Sequence, residues 1–177
     1  GKVGHDMFGD QLKKAVEECG IDTRNLVTDE EIHTTLAFVH TYPDGDRDFS
    51  FYRNPGADMM LTKKDVDPDL IRNSRIFHFG TLSSTHEGVR EATRYALDIA
   101  REAGCIITFD PNLRPPLWKS LDDARAEIEY GLAHCDVLKI SDNEVEFLFG
   151  TTDYDKGAAL IEEKYHIPLV LITMGKD

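Results

Sequence analysis

Three polar side chains that could bind a ligand stand at alternate positions directly after an apolar run. They are Asp110, Asn112 and Arg114, and the run before them, 105–108, has the β-branched, apolar character of a buried parallel strand. Arginine offers planar, forked donors to negatively charged groups. In an open α/β sheet, ligands bind outside the carboxyl ends of the strands, so the segment predicts a ligand site. A capped turn remains the alternative, because Asp-Pro and Asn are ordinary turn residues.

A second polar cluster follows the next predicted strand along the chain. Lys139 lies near the end of that strand, and Ser141 and Glu144 come directly after it. Consecutive strands usually lie side by side, which would bring this cluster next to Asp110 and Arg114. However, Ser-x-x-Glu is also the pattern of a helix capping box, and that interpretation explains the spacing without any chemistry.

The elements that must position these clusters alternate between strand and helix after Gly56. The predicted strands are 75–79, 105–109, 136–140 and 168–173. The predicted helices are 10–18, 67–73, 84–102, 121–133, 143–149 and 155–165, and Ser84-x-x-Glu87 is expected to cap the third of them. Such alternation predicts a parallel sheet that is covered by helices on both faces. His78, near the end of the first of these strands, is expected to be a packed strand residue.

Two further β-type runs, 34–41 and 48–53, flank the turn-rich segment 42–46 and predict a hairpin. Both faces of this hairpin carry large side chains, so it is expected to be covered on both sides, as a lid over a pocket or as a subunit interface. The alternative is that these runs are two ordinary strands of the main sheet.

The composition argues against several functions. The 177 residues include 20 Lys and Arg against 33 Asp and Glu, and this net charge of −13 argues against nucleic-acid or anionic-membrane partners. Cys19, Cys105 and Cys135 are odd in number and far apart, which favours a reducing, cytoplasmic compartment over a disulfide framework. The seven histidines lack zinc-ligand spacing. The longest nearly apolar run, 167–174, is too short to span a membrane.

Four segments in register resemble the ribokinase-like (PfkB) sugar kinases, and their fructokinase branch in particular. They are 1–9 (GKVGHDMFG), 51–58 (FYRNPGAD), 109–114 (FDPNLR) with Leu117-Trp118, and 139–144 (KISxxE). The resemblance implies an α/β fold: a three-layer α/β/α core with a mainly parallel sheet, plus a small β lid. The core would comprise residues 1–22 and 57–177, and the lid residues 23–56.

What the resemblance implies about function is a transfer of the γ-phosphoryl group of ATP to a sugar hydroxyl, with Mg²⁺ and K⁺ as the accompanying ions. Fructose is the expected sugar, and 2-keto-3-deoxygluconate and ribose are the alternatives. The resemblance also implies that the protein is a cytoplasmic enzyme, and the two apolar faces of the hairpin favour a homodimer formed through the lid.

The same resemblance assigns roles to individual residues. Arg114 would stabilise the transferred phosphoryl group. The sugar would be bound by Phe51, Arg53, Asp110 and Asn112. The groups associated with ATP and Mg²⁺, without direct metal ligation, would be Lys139, Ser141 and Glu144.

The sequence also departs from the family pattern. Ser141 replaces the Asn of the family's Asn-x-x-Glu motif. The early Gly-Gly-x-x-Asn segment and the late Gly-Ala-Gly-Asp segment do not occur, and Gly56-Ala57-Asp58 is interpreted as a chance likeness to the latter. The catalytic base would therefore lie outside these 177 residues, which alone are expected to be inactive. A non-catalytic interaction module is one alternative, and an unrelated Rossmann-like domain is disfavoured because no Gly-x-Gly-x-x-Gly follows a strand.

Overall fold

The computed structural model of the protein describes residues 1–45 and 47–175. Asp46, which belongs to the predicted hairpin turn, lies outside the described residues. The chain forms two compact units, Gly1–Asp67 and Pro68–Asp177, which are called the N-terminal and the C-terminal unit.

The N-terminal unit contains a parallel strand pair, one helix and a hairpin. Its elements are β1 (Lys2–Gly4), α1 (Met7–Glu18), β2 (Val27–Asp29), β3 (Leu36–Thr41) and β4 (Arg47–Tyr52). Strands β1 and β2 are parallel, and their pairing was not predicted because strands of three residues are too short to show a period. Helix α1 begins earlier than predicted, since the Asp6 carboxylate caps it by accepting hydrogen bonds from the Phe8 and Gly9 amides.

The predicted hairpin is present. Strands β3 and β4 pair antiparallel from Leu36 opposite Tyr52 to Thr41 opposite Arg47. The large apolar side chains that it leaves exposed are Phe38, Val39, Tyr42 and Tyr52.

The C-terminal unit is a run of strand–helix repeats. Its elements are α2 (Pro68–Arg72), β5 (Ile76–Gly80), α3 (Glu87–Glu102), β6 (Ile106–Asp110), α4 (Leu121–Leu132), β7 (Val137–Ser141), α5 (Asp142–Phe149), α6 (Tyr154–Tyr165) and β8 (Leu169–Thr173). All four strands are parallel, and their order in the sheet is their order in the sequence, β5-β6-β7-β8. The predicted alternation of strands and helices is therefore confirmed.

Local sequence explains most helix ends in this unit. The Ser120 hydroxyl accepts a hydrogen bond from the Asp123 amide and caps α4 as predicted. Gly150 ends α5 in the left-handed conformation, at φ 65°. The predicted cap of α3 was wrong: Ser84 closes a 3₁₀ turn, Thr81–Ser84, and the helix begins after His86, which makes no side-chain capping bond.

The core of this unit lies on one face of the sheet. The side chains of Phe109, Leu138 and Ile140 are fully buried there, and Gly131 of α4 lies directly against the Phe109 ring. Strands added in sequence order through right-handed crossovers place their helices on the same face. On the opposite face, Ile106 and Leu171 are 48% and 50% exposed, so cover on both faces is not seen in the described residues.

No helix in the portion of the chain that the structure describes is both long enough and apolar enough to cross a membrane.

Candidate functional site

The segment after β6, residues 110–114, forms a short loop that is called the strand-end loop. Asp110 closes β6, and its Oδ1 accepts a hydrogen bond from the Asn112 amide at 3.1 Å. Its Oδ2 lies 3.1 Å from Nζ of Lys139, which extends from the neighbouring strand β7. The sequence predicts Ser141 and Glu144 beside Asp110 and Arg114, and the contact of the second cluster with Asp110 is made by Lys139.

The backbone of the strand-end loop is held by side chains from both neighbouring strands. From the end of β5, the Thr81 hydroxyl donates a hydrogen bond to the Pro111 carbonyl at 2.5 Å, and the Thr81 amide donates to the same oxygen at 3.2 Å. From α5, Glu144 Oε1 accepts a hydrogen bond from the Leu113 amide at 2.7 Å. Between these anchors, Asn112 has a φ of 48°, in the left-handed region that Asn tolerates better than most residues.

Glu144 uses both of its carboxylate oxygens on backbone amides. Oε1 holds Leu113, and Oε2 accepts a hydrogen bond from the Ser141 amide at 2.8 Å. The Ser141 hydroxyl in turn accepts a hydrogen bond from the Glu144 amide at 3.4 Å, which completes a capping box at the start of α5. The capping interpretation of this motif is thus confirmed, and the Glu144 side chain is almost fully buried.

Arg114 lies at the end of the strand-end loop, and its side chain is partly buried. Its Nη1 donates a hydrogen bond to the carbonyl oxygen of the adjacent Leu113 at 3.0 Å. Arg114 and Lys139 therefore place two cationic side chains at the carboxyl ends of β6 and β7, and the Lys139 charge is offset by the Asp110 carboxylate.

A cavity of about 270 Å³ opens beside the loop. It is lined by His78, Gly80, Leu82, Ser83, Asp110 and Asn112. His78 was expected to be packed, but it is exposed, and its ring Nδ1 forms a hydrogen bond with the Thr108 hydroxyl at 2.8 Å. A Cβ on Gly80 would lie 2.6 Å from the Asp110 carbonyl oxygen, so this position requires glycine.

The two site residues predicted on the hairpin, Phe51 and Arg53, lie in the N-terminal unit. The Phe51 ring is half-buried and stacks on Phe49 with ring centroids 5.9 Å apart. The Arg53 side chain is only 5% exposed and forms an ion pair with Asp58, whose Oδ2 lies 2.8 Å from Nε and 2.5 Å from Nη2. Asp58 Oδ1 accepts a hydrogen bond from the Thr35 hydroxyl at 2.5 Å.

Asp58 thus joins the residue that precedes β3 to the residue that follows β4, and it closes the base of the hairpin. The sequence interpretation had set Asp58 aside as part of a chance likeness. The sequence contains one indication of the ion pair, since Asp58 follows Arg53 by five positions. The contact between Asp58 and Thr35, however, spans 23 positions and leaves no local pattern.

A second carboxylate holds the entry to the hairpin. Asp6 Oδ2 accepts a hydrogen bond from the Thr34 amide at 2.7 Å while Oδ1 caps α1. These hydrogen bonds, above all those from the Thr34 and Gly9 amides, lower the pKa of Asp6 to about 2.

Among the residues that the structure describes, no three His, Cys, Asp or Glu side chains come together in a group that could hold a metal ion.

Comparisons of the sequence and of the structure with known proteins all find carbohydrate kinases. A family model described as pfkB family carbohydrate kinase matches residues 1–177. The chain is 40% identical over 176 residues to Fructokinase-2 of Solanum lycopersicum, and this alignment covers 99% of the chain and 54% of that relative. The chain therefore spans about half the length of the curated relatives it matches.

Solved structures give the same result. Fructokinase with bound ATP from Xylella fastidiosa matches 100% of this chain and 56% of that chain, at 31% identity and a TM-score of 0.85. Fructokinase from Vibrio cholerae O395, in a form with fructose, ADP and calcium ion bound, matches 99% of this chain and 56% of that chain, at 28% identity and a TM-score of 0.86.

Proposed function

Because the chain belongs to the pfkB family of carbohydrate kinases, we propose that the complete protein transfers the γ-phosphoryl group of ATP to a hydroxyl group of fructose. The observation that supports this proposal is the strand-end loop, where Asp110 pairs with Lys139 and lines a cavity together with Asn112, and where Arg114 adds a second cationic side chain. The choice of fructose is supported by the 40% identity to a fructokinase over nearly the whole chain.

The proposed chemistry suits this geometry. Phosphoryl transfer needs positioning and the stabilisation of spreading negative charge more than it needs covalent catalysis by the protein. Arg114 would stabilise the transferred phosphoryl group with its forked donors. Asp110 and Asn112 would bind sugar hydroxyls from the wall of the cavity. The catalytic base would come from the part of the complete protein outside these 177 residues.

On the nucleotide side, Lys139 and the α5 start at Ser141 and Glu144 would lie near ATP and its Mg²⁺. When bound there, Mg²⁺ would neutralise negative charge on the phosphates, and Lys139, Ser141 and Glu144 would lie near it without direct ligation. K⁺ would be an accompanying ion. A fructokinase structure with fructose, ADP and potassium ion bound supports this assignment.

The hairpin would serve as the lid of the sugar site and as the surface of a homodimer. Phe51 would contact the sugar, and Arg53 would reach it from the base of the hairpin while it remains bound to Asp58. The exposed Phe38 and Tyr52 rings, which meet edge to face at 5.4 Å, would pack against a second copy. Sedimentation of the complete protein tests this part, and the Phe38→Ser variant should shift a dimer towards monomer.

The complete protein would work in the cytoplasm. The free thiols of Cys19, Cys105 and Cys135 support a reducing compartment. The net charge of −13 supports small-molecule substrates, not nucleic acids or anionic membranes, as its partners.

A coupled ADP-release assay on the complete protein tests the function. It should be run with ATP, Mg²⁺ and, in turn, fructose, 2-keto-3-deoxygluconate and ribose. We expect kcat/KM to be highest for fructose. A higher kcat/KM for either of the other sugars would replace fructose as the substrate, and no sugar-dependent ADP release with any of them would contradict the kinase proposal.

A further inference from the structure

Four polar groups along the backbone of the strand-end loop each form a hydrogen bond. The Pro111 carbonyl accepts from Thr81, the Asn112 amide donates to Asp110, the Leu113 amide donates to Glu144, and the Leu113 carbonyl accepts from Arg114. Two of these partners, Thr81 and Glu144, lie about 30 positions away along the chain, one on each side of β6. The loop is therefore anchored to both neighbouring strand ends.

Both distant anchors are buried. Thr81 is 1% exposed and Glu144 is 5% exposed. Removing the partner of a buried polar group leaves that group unsatisfied, which costs more than the hydrogen bond contributes while it is intact. Hydrogen bonds from amides to a carboxylate are also among the stronger ones in proteins. The two anchors therefore oppose local opening of the loop.

We propose that Thr81 and Glu144 are positioning residues, which fix the strand-end loop so that Asn112 and Arg114 present their side chains in one arrangement. This inference rests on the function proposed above for the site. It adds a role for Glu144 to that implied by the family resemblance: its two oxygens hold the Leu113 and Ser141 amides, so the carboxylate fixes the loop whether or not it also lies near a metal ion.

The expected importance of such anchors follows from the demands of group transfer. A misplacement of about 1 Å in a catalytic group can lower a rate by about 100-fold. Arg114 directly follows Leu113, whose amide is held by Glu144. If that hydrogen bond were lost, the backbone at Arg114 could shift and its side chain would move with it.

The first experiment tests whether the hydroxyl group of Thr81, and not the size of its side chain, holds the loop. In the complete protein, Thr81→Val keeps the volume but removes the donor to the Pro111 carbonyl, whereas Thr81→Ser keeps the donor. Well below the melting temperature, we expect kcat with fructose to fall at least 10-fold in Thr81→Val and to stay within 3-fold of wild type in Thr81→Ser. Equal kcat values for wild type and Thr81→Val would overturn the role of Thr81.

The second experiment tests the anchoring of the loop by Glu144. In Glu144→Gln a carboxamide offers one oxygen for two amides, so we expect kcat to fall at least 10-fold and hydrogen exchange at the Leu113 and Ser141 amides, taken together, to become at least 10-fold faster than in wild type. Glu146→Gln is the matched control, because Glu146 is exposed on the same helix, and it should behave as wild type. Wild-type kcat together with wild-type exchange at both amides in Glu144→Gln would overturn the positioning role of Glu144.

The third experiment needs neither a variant nor activity. Hydrogen exchange of the wild-type complete protein, without sugar, nucleotide or Mg²⁺, should show the Leu113 amide protected at least 100-fold relative to an unstructured peptide. Rapid exchange at Leu113 would overturn the anchoring whatever the activity. Conversely, a protected Leu113 amide in a protein that phosphorylates no sugar would refute the proposed function and leave the anchored loop intact.

Discussion

The strand-end loop and the hairpin are both held by polar side chains, but these side chains bind different parts of the two segments. The loop is bonded at each step of its backbone, from Pro111 to Leu113. The hairpin is tied at its base by Asp58, while rings on its strands, such as Phe38 and Tyr52, remain exposed. The strand-end loop is therefore bonded along its length, whereas the Asp58 contacts of the hairpin lie where it joins the rest of its unit.

The two regions are therefore suited to different tasks. Hydrogen bonds from the loop backbone to Thr81 and Glu144 oppose movement of the strand-end loop, which suits charge stabilisation by groups that must not reorganise. A hairpin that is tied at its base and exposes aromatic rings on its strands suits a lid or an interface.

The largest effect is expected at the strand-end loop, from Arg114→Ala. Loss of the guanidinium removes charge stabilisation but leaves the anchors of the loop in place, so kcat should fall by about 10²–10³. The thermal midpoint of unfolding should change little. Steady-state kinetics on the complete protein provide the measurement, and Lys119→Ala, which removes an exposed cation nearby in sequence, is the control. An unchanged kcat would exclude Arg114 from the phosphoryl site.

An intermediate effect is expected at the base of the hairpin, from Asp58→Ala. The Arg53 guanidinium, 5% exposed, would lose its carboxylate partner. Because Asp58 is itself partly exposed, the loss should be on the order of 2 kcal/mol, below the cost for a fully buried pair. Urea unfolding measures it, and the KM for fructose should rise while kcat stays near wild type.

Asp48→Ala, at an exposed position on β4, provides the control for the Asp58 variant. It should change neither stability nor KM. If Asp58→Ala lowers kcat and leaves KM unchanged, the hairpin base does not serve the sugar, and the proposed lid role of Arg53 is lost with it.

The smallest effect is expected at the entry to the hairpin, where Asp6 holds the Thr34 amide. Its pKa of about 2 lies below the ordinary value of 3.8, so its contribution to stability is complete above pH 5 and is lost as the pH falls towards 2. That contribution should be on the order of 1 kcal/mol. The difference in unfolding free energy between wild type and Asp6→Asn should therefore narrow between pH 5 and pH 2.

Asp10→Asn, an exposed change in the first turn of α1, should show a smaller dependence on pH over the same range. A wild-type advantage over Asp6→Asn that stays constant from pH 5 to pH 2 would mean that the Asp6 carboxylate titrates alike in the folded and unfolded chains.

Much of the fold could be predicted because its signals are local. The alternation of strands and helices, the hairpin, and the caps at Ser120 and Ser141 each appear within a short window of sequence. The family match and the fructokinase structures confirm the predicted class, a ribokinase-like α/β fold with a parallel sheet flanked by helices. The strand-end loop, which the sequence predicts to be a ligand site because ligands bind at the carboxyl ends of parallel strands, lies next to Lys139.

The parts that could not be predicted depend on contacts between distant positions. Thr81 and Asp58 anchor segments 30 and 23 positions away, and no periodicity or motif reports such pairs. The false cap at Ser84 has a similar cause, since the 3₁₀ turn that displaced it contains Thr81, which is held by Pro111. The proposed roles of the site residues remain predictions until substrates are tested.

The order of strands in the C-terminal sheet has a consequence for folding during synthesis on the ribosome. Each strand pairs with the strand made before it, from β5 through β8. A chain that emerges from the ribosome therefore meets its pairing partner already synthesised, and the sheet can grow from one edge in the direction of translation. Short sequence separations between partners also lower the entropic cost of closing each loop. The C-terminal unit is thus suited to fold while it is being made.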